Sequence, residues 1–141
     1  MAYTVEAKRV EAQPIAVVRG RASRANLPGR IRVLFDEFYG GFKEKGGLNI
    51  VFYPGTEGGG EFDIECGVQV EGGGNSSTPA GTAATVTYFG PYDQMRPAHE
   101  AIHAWARDNG RPLAGPSWEV YGHWSDDPAK LRTDIFYLLS E

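Results

Sequence analysis

One short segment of the chain is rich in aromatic and β-branched residues, Trp118-Glu119-Val120-Tyr121-Gly122-His123-Trp124. This composition is typical of a β-strand, and turn-forming residues bound the segment at 115–116 and 125–128. Because side chains alternate across a strand, we expect Glu119, Tyr121 and His123 to share one face. The opposite face then carries Trp118, Val120 and Trp124.

Glu119 is the unusual member of this strand. A carboxylate among aromatic side chains is costly to bury unless it is paired, neutralised or used. Taken alone, the strand favours the ordinary interpretation, which is a glutamate on the solvated side of a sheet. The organisation of the whole chain, described below, favours a functional role for Glu119 instead.

Length and composition predict a single globular domain. The 141 residues are 41% hydrophobic and 23% charged, which is ordinary for a domain with its own core. A net charge of −4 without a Lys/Arg cluster argues against nucleic acid as a partner. The sequence contains neither an apolar run of membrane-spanning length nor a signal-peptide pattern. A lone cysteine, Cys66, cannot form an internal disulfide, so we expect a cytoplasmic location.

Two segments have the apolar spacing of amphipathic helices. The first begins near Pro28 and ends at Gly46, and its apolar residues are Leu27, Ile31, Leu34, Phe35, Phe38 and Phe42. The second begins at Asp93, a candidate N-cap, and ends at Gly110. Its expected inward stripe consists of Met95, Ala98, Ile102 and Trp105.

The order of elements repeats in two halves, at about residues 1–75 and 78–141. Each half is predicted as strand, helix, strand, strand, and the first half has an extra strand at its start. The expected strands cover residues 3–10, 15–19, 48–53, 62–70, 82–89, 117–124 and 132–139. The repeat aligns 17–20 with 87–90 and 50–53 with 118–121, so Val51 takes the position of Glu119. A symmetric scaffold would then carry a charge, Glu119, on one side only. A requirement for binding a ligand explains this asymmetry more easily than a requirement of the fold.

These elements predict an α+β fold, in which an antiparallel sheet carries two helices on one face with a ligand groove between them. Aromatic residues are plentiful, with 7 Tyr, 7 Phe and 3 Trp, so some can line that groove.

Three motifs occur in a distinctive order along the second half. A Gly90-Pro91-Tyr92 turn precedes the second helix, the strand carries Pro116-x-x-Glu119-x-Tyr121, and a Thr-Asp-Ile run follows at 133–135. This order resembles the GyrI-like small-molecule-binding family, whose members include effector-binding domains of AraC-type and MerR-type multidrug regulators and stand-alone proteins. The resemblance covers essentially the whole chain and leaves no residues for a helix-turn-helix domain.

The resemblance implies a pocket on the pseudo-twofold axis, with Glu119 and Tyr121 at its base. Some stand-alone relatives are similar to hydrolases that open the cyclopropane ring of alkylating natural products. Others are thought to bind drugs or protein toxins, so the resemblance leaves the activity open.

The first hypothesis is a stand-alone protein that binds hydrophobic, aromatic or cationic small molecules without a cofactor. Glu119 would supply one negative charge that has no cationic partner within the protein, and a bound cation would become that partner. The alternative is a carboxyl group that is neutral while the pocket is empty. The candidate ligand-binding residues are Glu119, Tyr121, Tyr53, Phe38, Tyr88, Trp105, Tyr137 and His123.

The second hypothesis is a hydrolase whose catalytic residues are Glu119 and Tyr121. Glu119 would activate a water molecule against a strained ring, and Tyr121 would orient the water or a substrate carbonyl. A third hypothesis, a protein-binding role, rests on acidic charge, and −4 is too mild to favour it. The sequence does not determine the oligomeric state.

A competing motif is His99-Glu100-Ala101-Ile102-His103, a literal H-E-x-x-H on a predicted helix. The expected inward stripe leaves His99 at its edge and His103 outside it, and no third ligand stands at a recognised spacing. Two histidines on a helix flank are usually solvated, so we expect no metal and treat the motif as coincidental.

We therefore expect the protein to contain far less than one zinc ion per chain when it is purified without a histidine tag. Elemental analysis by mass spectrometry measures this directly. Stoichiometric zinc that disappears in His103→Ala would contradict the expectation and favour a metal-dependent hydrolase.

Overall fold

Alternating strands and two amphipathic helices account for most of the molecule. The computed structural model describes residues 3–42, 46–55, 57–58 and 60–141. The strands among these residues are β1 (Glu6–Val10), β2 (Pro14–Ala22), β3 (Asn49–Tyr53), β4 (Glu57–Gly58), β5 (Glu61–Gln69), β6 (Ser76–Ser77), β7 (Gly81–Phe89), β8 (Leu113–Tyr121) and β9 (Arg132–Leu139). The α-helices are α1 (Leu27–Gly41) and α2 (Arg96–Asp108), and 3₁₀ turns occur at Tyr92–Gln94 and Pro128–Lys130.

All of these strands join one antiparallel sheet, in the order β1-β7-β9-β8-β3-β5-β2-β6, with β4 paired to β5. The order is symmetric about the central β3–β8 pair, because β9 and β7 follow β8 as β5 and β2 follow β3. Val51 lies directly opposite Glu119 in that pair. The α+β class predicted from the sequence is confirmed.

The register of the strands corrects one detail of the predicted repeat. Val51 pairs with Cys66, which in turn pairs with Val18. On the other side Glu119 pairs with Ile135, which pairs with Val86. The position equivalent to residue 18 is therefore 86, and the predicted alignment of 17–20 with 87–90 was wrong by two residues. An even error leaves each side chain on its predicted face, because strand periodicity is two.

Both helices pack on the face of the sheet that carries Glu119. Leu34 of α1 lies in a buried cluster with Val51 and Cys66, whereas Ile102 of α2 lies in a second cluster with Ile135. Cross-strand pairing places these strand residues in one row with Glu119, so the two clusters flank it.

The opposite face of the sheet is also apolar. Its cluster consists of Ile15, Val17, Ile50, Phe52, Ala83, Trp118 and Val120. Trp118 and Val120 thus lie away from Glu119, as alternation predicted. The cluster joins β2 to β7 although β9, β8, β3 and β5 lie between them in the sheet, so the sheet curls around it.

The helix boundaries differ from the predicted ones at two ends, the end of α1 and the start of α2. Proline occupies the first turn of each helix, where a missing N–H is tolerated. Asp93 is not an N-cap, because a 3₁₀ turn precedes α2 and Met95 takes the cap position without a side-chain hydrogen bond. Helix α1 ends at Gly41, whereas the sequence predicted an end at Gly46. The predicted segment includes residues 43–45, which lie outside the described residues. Helix α2 ends at Asp108 with Asn109 as its C-cap, and Gly110 follows in the left-handed conformation, so the predicted glycine ends this helix.

The close packing of β2 on β5 predicts a glycine requirement at one position. A Cβ atom on Gly67 would lie 1.8 Å from the carbonyl oxygen of Ala16, which is backbone and cannot move aside easily. We expect Gly67→Ala to lower the free energy of unfolding by about 3 kcal/mol or more.

Gly29→Ala is the control, because a Cβ at this helical position would have no atom within 4 Å. It should be neutral or raise stability by up to about 1 kcal/mol. Urea denaturation of both variants measures the difference, and equal stabilities would contradict the strand register described here.

Candidate functional site

A cavity of about 890 Å³ opens between α1 and the segment that leads into α2, above the central strands β3 and β8. Its lining is formed by Arg24, Leu27, Pro28, Ile31, Arg32, Phe35, Asn49, Tyr53, Tyr92, Asp93, Met95, Arg96, Glu119, Tyr121, Gly122 and Trp124. The groove predicted between two helices is therefore present, and it has the size of a small-molecule site.

One side of α1 forms an apolar wall of the cavity. Leu27, Ile31 and Phe35 recur every four residues and line the cavity. Leu34 and Phe38 lie on the neighbouring side of the helix and are buried. Phe38 packs against the ring of Phe42 and does not line the cavity, contrary to the prediction. The phenylalanine of α1 that lines the cavity is Phe35.

The floor of the cavity is centred on Glu119, whose exposed fraction is only 6%. Both of its carboxylate oxygens are engaged. The Tyr121 hydroxyl donates to Oε1 at 2.6 Å, and Nε2 of His99 lies 2.6 Å from Oε2. Charge-assisted hydrogen bonds of this length are strong and hold the carboxylate in one orientation.

His99 contradicts two expectations from the sequence. It is not a solvated residue on the helix flank, since it reaches β8 and contacts Glu119. Its other ring nitrogen, Nδ1, lies 2.8 Å from the hydroxyl of Tyr137 on β9. Glu119 therefore has a partner within the protein, contrary to the second expectation. That partner is cationic only when the imidazole is protonated.

The tyrosines around Glu119 are held in the neutral form. Burial raises the pKa of Tyr121 well above its ordinary value, and the charge of Glu119 raises it further. The same two causes, in the same order, raise the pKa of Tyr53 and bring that of Tyr137 to about 12. These hydroxyl groups consequently keep their protons at neutral pH and can donate hydrogen bonds.

The rim of the cavity is aromatic and charged. Trp124, 72% exposed, lines it together with Tyr92, whose ring packs edge-on against that of Tyr121. Trp124 was predicted on the face opposite Glu119, and this was wrong because β8 ends at Tyr121 and the alternation stops there. Exposed arginines also line the rim, at positions 24, 32 and 96.

The predicted ligand-binding residues fall into two groups. Glu119, Tyr121 and Tyr53 line the cavity. Tyr137 does not line it but contacts His99, the partner of Glu119. The others lie outside the lining; they are Phe38, Tyr88, Trp105 and His123.

Tyr88, Trp105 and His123 lie away from the cavity, each in different surroundings. The Tyr88 hydroxyl donates to the carbonyl of Pro91 and the side chain is buried. Trp105 packs beside the core near the end of α2, beneath the guanidinium of Arg111. His123 is exposed just beyond the end of β8.

The H-E-x-x-H motif does not gather ligands for a metal. His99 turns towards Glu119, while His103 is exposed and its ring packs edge-on against Tyr137. Within the described residues, no group of three His, Cys, Asp or Glu side chains lies close enough to hold a metal ion.

Cys66 lies among buried apolar residues, as its alternation with them predicted. Burial, followed by the charge of Glu119, raises the pKa of the Cys66 thiol to about 12, which does not suit a nucleophile. Neither helix in the described part of the chain is long and apolar enough to cross a membrane.

Several solved structures share this fold over the whole chain. The EcmrR C-terminal domain superposes with a TM-score of 0.75 at 23% identity and covers 100% of this chain and 99% of its own. SAV2435, solved bound to tetraphenylphosphonium, gives 0.70 at 13% identity, with 99% and 94% covered. A hydrolase encoded by lin2189 from Listeria innocua gives 0.56 at 11% identity, with 99% and 93% covered.

No curated protein sequence matches the chain significantly. A family model described as the GyrI-like small molecule binding domain matches residues 3–139, which include both helices, the central strands and the whole cavity lining. The chain belongs to the GyrI-like family of small molecule binding domains.

Proposed function

We propose that the protein binds hydrophobic aromatic molecules, and aromatic cations in particular, in the cavity between α1 and the segment that leads into α2. The observation that carries this proposal is the buried carboxylate of Glu119 at the floor of a cavity with apolar and aromatic walls. A buried charge at the base of a ligand-sized cavity is costly for the fold, and a cationic ligand offsets that cost.

The walls provide the area that such a ligand needs. Phe35, Tyr53 and Tyr92 present rings to the cavity from three different elements, with Tyr121 and Trp124 beside them. Aromatic rings supply large apolar surface and attract cations through their faces, which is worth about 0.5–2 kcal/mol for each well-placed ring. A flat or propeller-shaped aromatic cation can contact several of them at once.

Electrostatics favours a cation at the floor and constrains the rest of the ligand. A cation at about 4 Å from Glu119 gains about 4 kcal/mol at an effective dielectric constant of 20, before its own desolvation is counted. Arginines at the rim oppose a second positive charge near the opening. We therefore expect monovalent ligands whose charge is buried at depth. The tetraphenylphosphonium bound by SAV2435, which shares this fold, has that form.

Replacing Glu119 by glutamine tests the role of the charge. Glu119→Gln keeps the shape of the side chain and removes its negative charge, so it should weaken tetraphenylphosphonium binding by about 2 kcal/mol, or about 30-fold. Binding of triphenylphosphine oxide, a neutral ligand with similar rings, should change little. Isothermal calorimetry with both ligands measures the two effects.

Glu65→Gln is a matched control for this substitution. Glu65 is as deeply buried, at 8% exposure, but it lies on the opposite face of the sheet beside Arg19 and Ser76. This variant should bind the cation as the wild type does. Equal cation affinity in wild type and Glu119→Gln, with both proteins folded by thermal denaturation, would remove Glu119 from the binding site.

A second candidate function, hydrolysis of a strained cyclopropanoid ring, is favoured by the hydrogen bond from Tyr121 to Glu119. Glu119 would take a proton from water as the water oxygen bonds to a ring carbon. The ring C–C bond would break, and its electron pair would pass to a conjugated carbonyl, whose oxygen would then take the proton from Glu119 through solvent. The Tyr121 hydroxyl has one hydrogen, so it would turn from Glu119 Oε1 to that oxygen as the charge develops. The lin2189 hydrolase, which shares the fold at 11% identity, is consistent with this candidate.

Hydrolysis of this kind should depend on Glu119 and continue in excess chelator. Glu119→Ala should lower turnover by about 10²–10⁴-fold, the usual contribution of general base catalysis, and Tyr121→Phe should lower it less. Chromatography of the ring-opened product from a cyclopropane-bearing alkylator provides the assay. Full turnover in Glu119→Ala would exclude Glu119 as the base, whereas no turnover of any substrate in wild type leaves binding as the function.

A further inference from the structure

His99 connects two other polar side chains beneath the cavity floor and has a partner for each ring nitrogen. Nε2 lies 2.6 Å from Glu119 Oε2, and Nδ1 lies 2.8 Å from the Tyr137 hydroxyl. The side chain is 25% exposed, so solvent protons can reach it. Neither Tyr137 nor His99 belongs to the cavity lining, so neither would contact a ligand there directly.

We infer that His99 is a positioning residue for Glu119 and that its protonation determines whether the cavity accepts a cation. This inference rests on the proposed function, because it concerns the ligand charge that the same cavity selects. With a neutral imidazole the pair formed with Glu119 carries one negative charge. With an imidazolium the pair is neutral, and the attraction for a cation is lost.

The hydrogen bonds allow this change of charge without a change of geometry. An ionised carboxylate only accepts hydrogen bonds, so Nε2 carries a proton towards Glu119 in both states. In the neutral state Nδ1 accepts from the Tyr137 hydroxyl. In the protonated state Nδ1–H donates to the same oxygen, and the Tyr137 hydroxyl hydrogen rotates away. Glu119 therefore stays in place while the net charge beneath the ligand changes.

Other charged and titratable groups surround His99, and each can be tested separately. Strand β8 presents Glu119 and Tyr121, and β9 presents Tyr137. On α2 itself, Glu100 is next in the chain and paired with Arg96, and His103 lies one turn further on.

Arg24 approaches this group from the segment before α1. It acts as a fixed positive charge that opposes the rise in the pKa of Tyr137 caused by burial and Glu119. Burial first, then the charge of His99 and that of Arg24, lower the pKa of His103. His103 is a second histidine beside Tyr137, which makes it the necessary control.

The direction of the pH effect follows from these charges. Histidine side chains change charge between about pH 5 and pH 8. Acidification through that range protonates His99, neutralises the pair and weakens cation binding by roughly tenfold, after screening by solvent is allowed for. Triphenylphosphine oxide has no net charge, so its affinity should not change. By linkage, tetraphenylphosphonium should release protons as it binds.

The experiment compares wild type, His99→Gln and His103→Gln with tetraphenylphosphonium at about pH 8 and about pH 5. Glutamine can still donate a hydrogen bond to Glu119 but does not titrate. We expect His99→Gln to bind tetraphenylphosphonium with nearly the same affinity at both pH values. The affinity of His103→Gln should fall about tenfold at the lower pH, as that of the wild type does. Calorimetry between these two pH values, in two buffers of different ionisation enthalpy, counts the protons released. Release should occur in wild type and His103→Gln and be absent in His99→Gln.

The outcomes separate this inference from the proposed function. A wild type that binds no tetraphenylphosphonium at about pH 8 overturns the proposed function. Binding that shows equal affinity at both pH values, or no proton release, overturns the inference alone. A loss of affinity that persists in folded His99→Gln assigns the titration to another group, such as Glu119. If His99→Gln fails to fold, proton release is compared between wild type and His103→Gln. Absence of release in wild type would still contradict the inference.

Discussion

The antiparallel pairing of β3 with β8 is the constraint on which the rest of the structure depends. It places Val51 and Glu119 side by side at the centre of the sheet and sets the symmetric strand order on either side of them. Each helix then covers its own half, so that Val51 is buried in the cluster beneath α1 and Glu119 lies between the two clusters. A carboxylate at this position is surrounded by protein below and beside it and faces the cavity above.

Such a carboxylate needs hydrogen bonds from within the protein, and two elements supply them. Tyr121 donates from the same strand, two residues on, while His99 reaches Glu119 from α2. A fully partnered polar network of this kind is rigid, because losing any member leaves another without a partner at a cost of about 1–3 kcal/mol. The floor of the cavity is thus fixed, whereas its rim consists of exposed side chains such as Trp124 and Arg32.

Some of this arrangement follows from the sequence and some does not. Strand alternation places Glu119 and Tyr121 on one face and Trp118 on the other, because that period depends only on the backbone. The partnership of Glu119 with His99 depends on how α2 docks on β8, and no local pattern contains that information. The choice of Phe35 over Phe38 depends on the rotation of α1 about its axis. Trp124 could not be placed because the end of β8 ends the alternation.

The two sides of α1 have a consequence for how relatives of this protein can diverge. Leu34 and Phe38 belong to the folding core, whereas Leu27, Ile31 and Phe35 face the cavity. Mutations on the cavity side change the shape offered to a ligand and disturb only the edge of the packing, because these side chains are partly exposed and lie against the buried cluster. A lineage can therefore exchange one ligand for another by successive substitutions on a single helical stripe, each of them costing less stability than a change at Leu34 or Phe38.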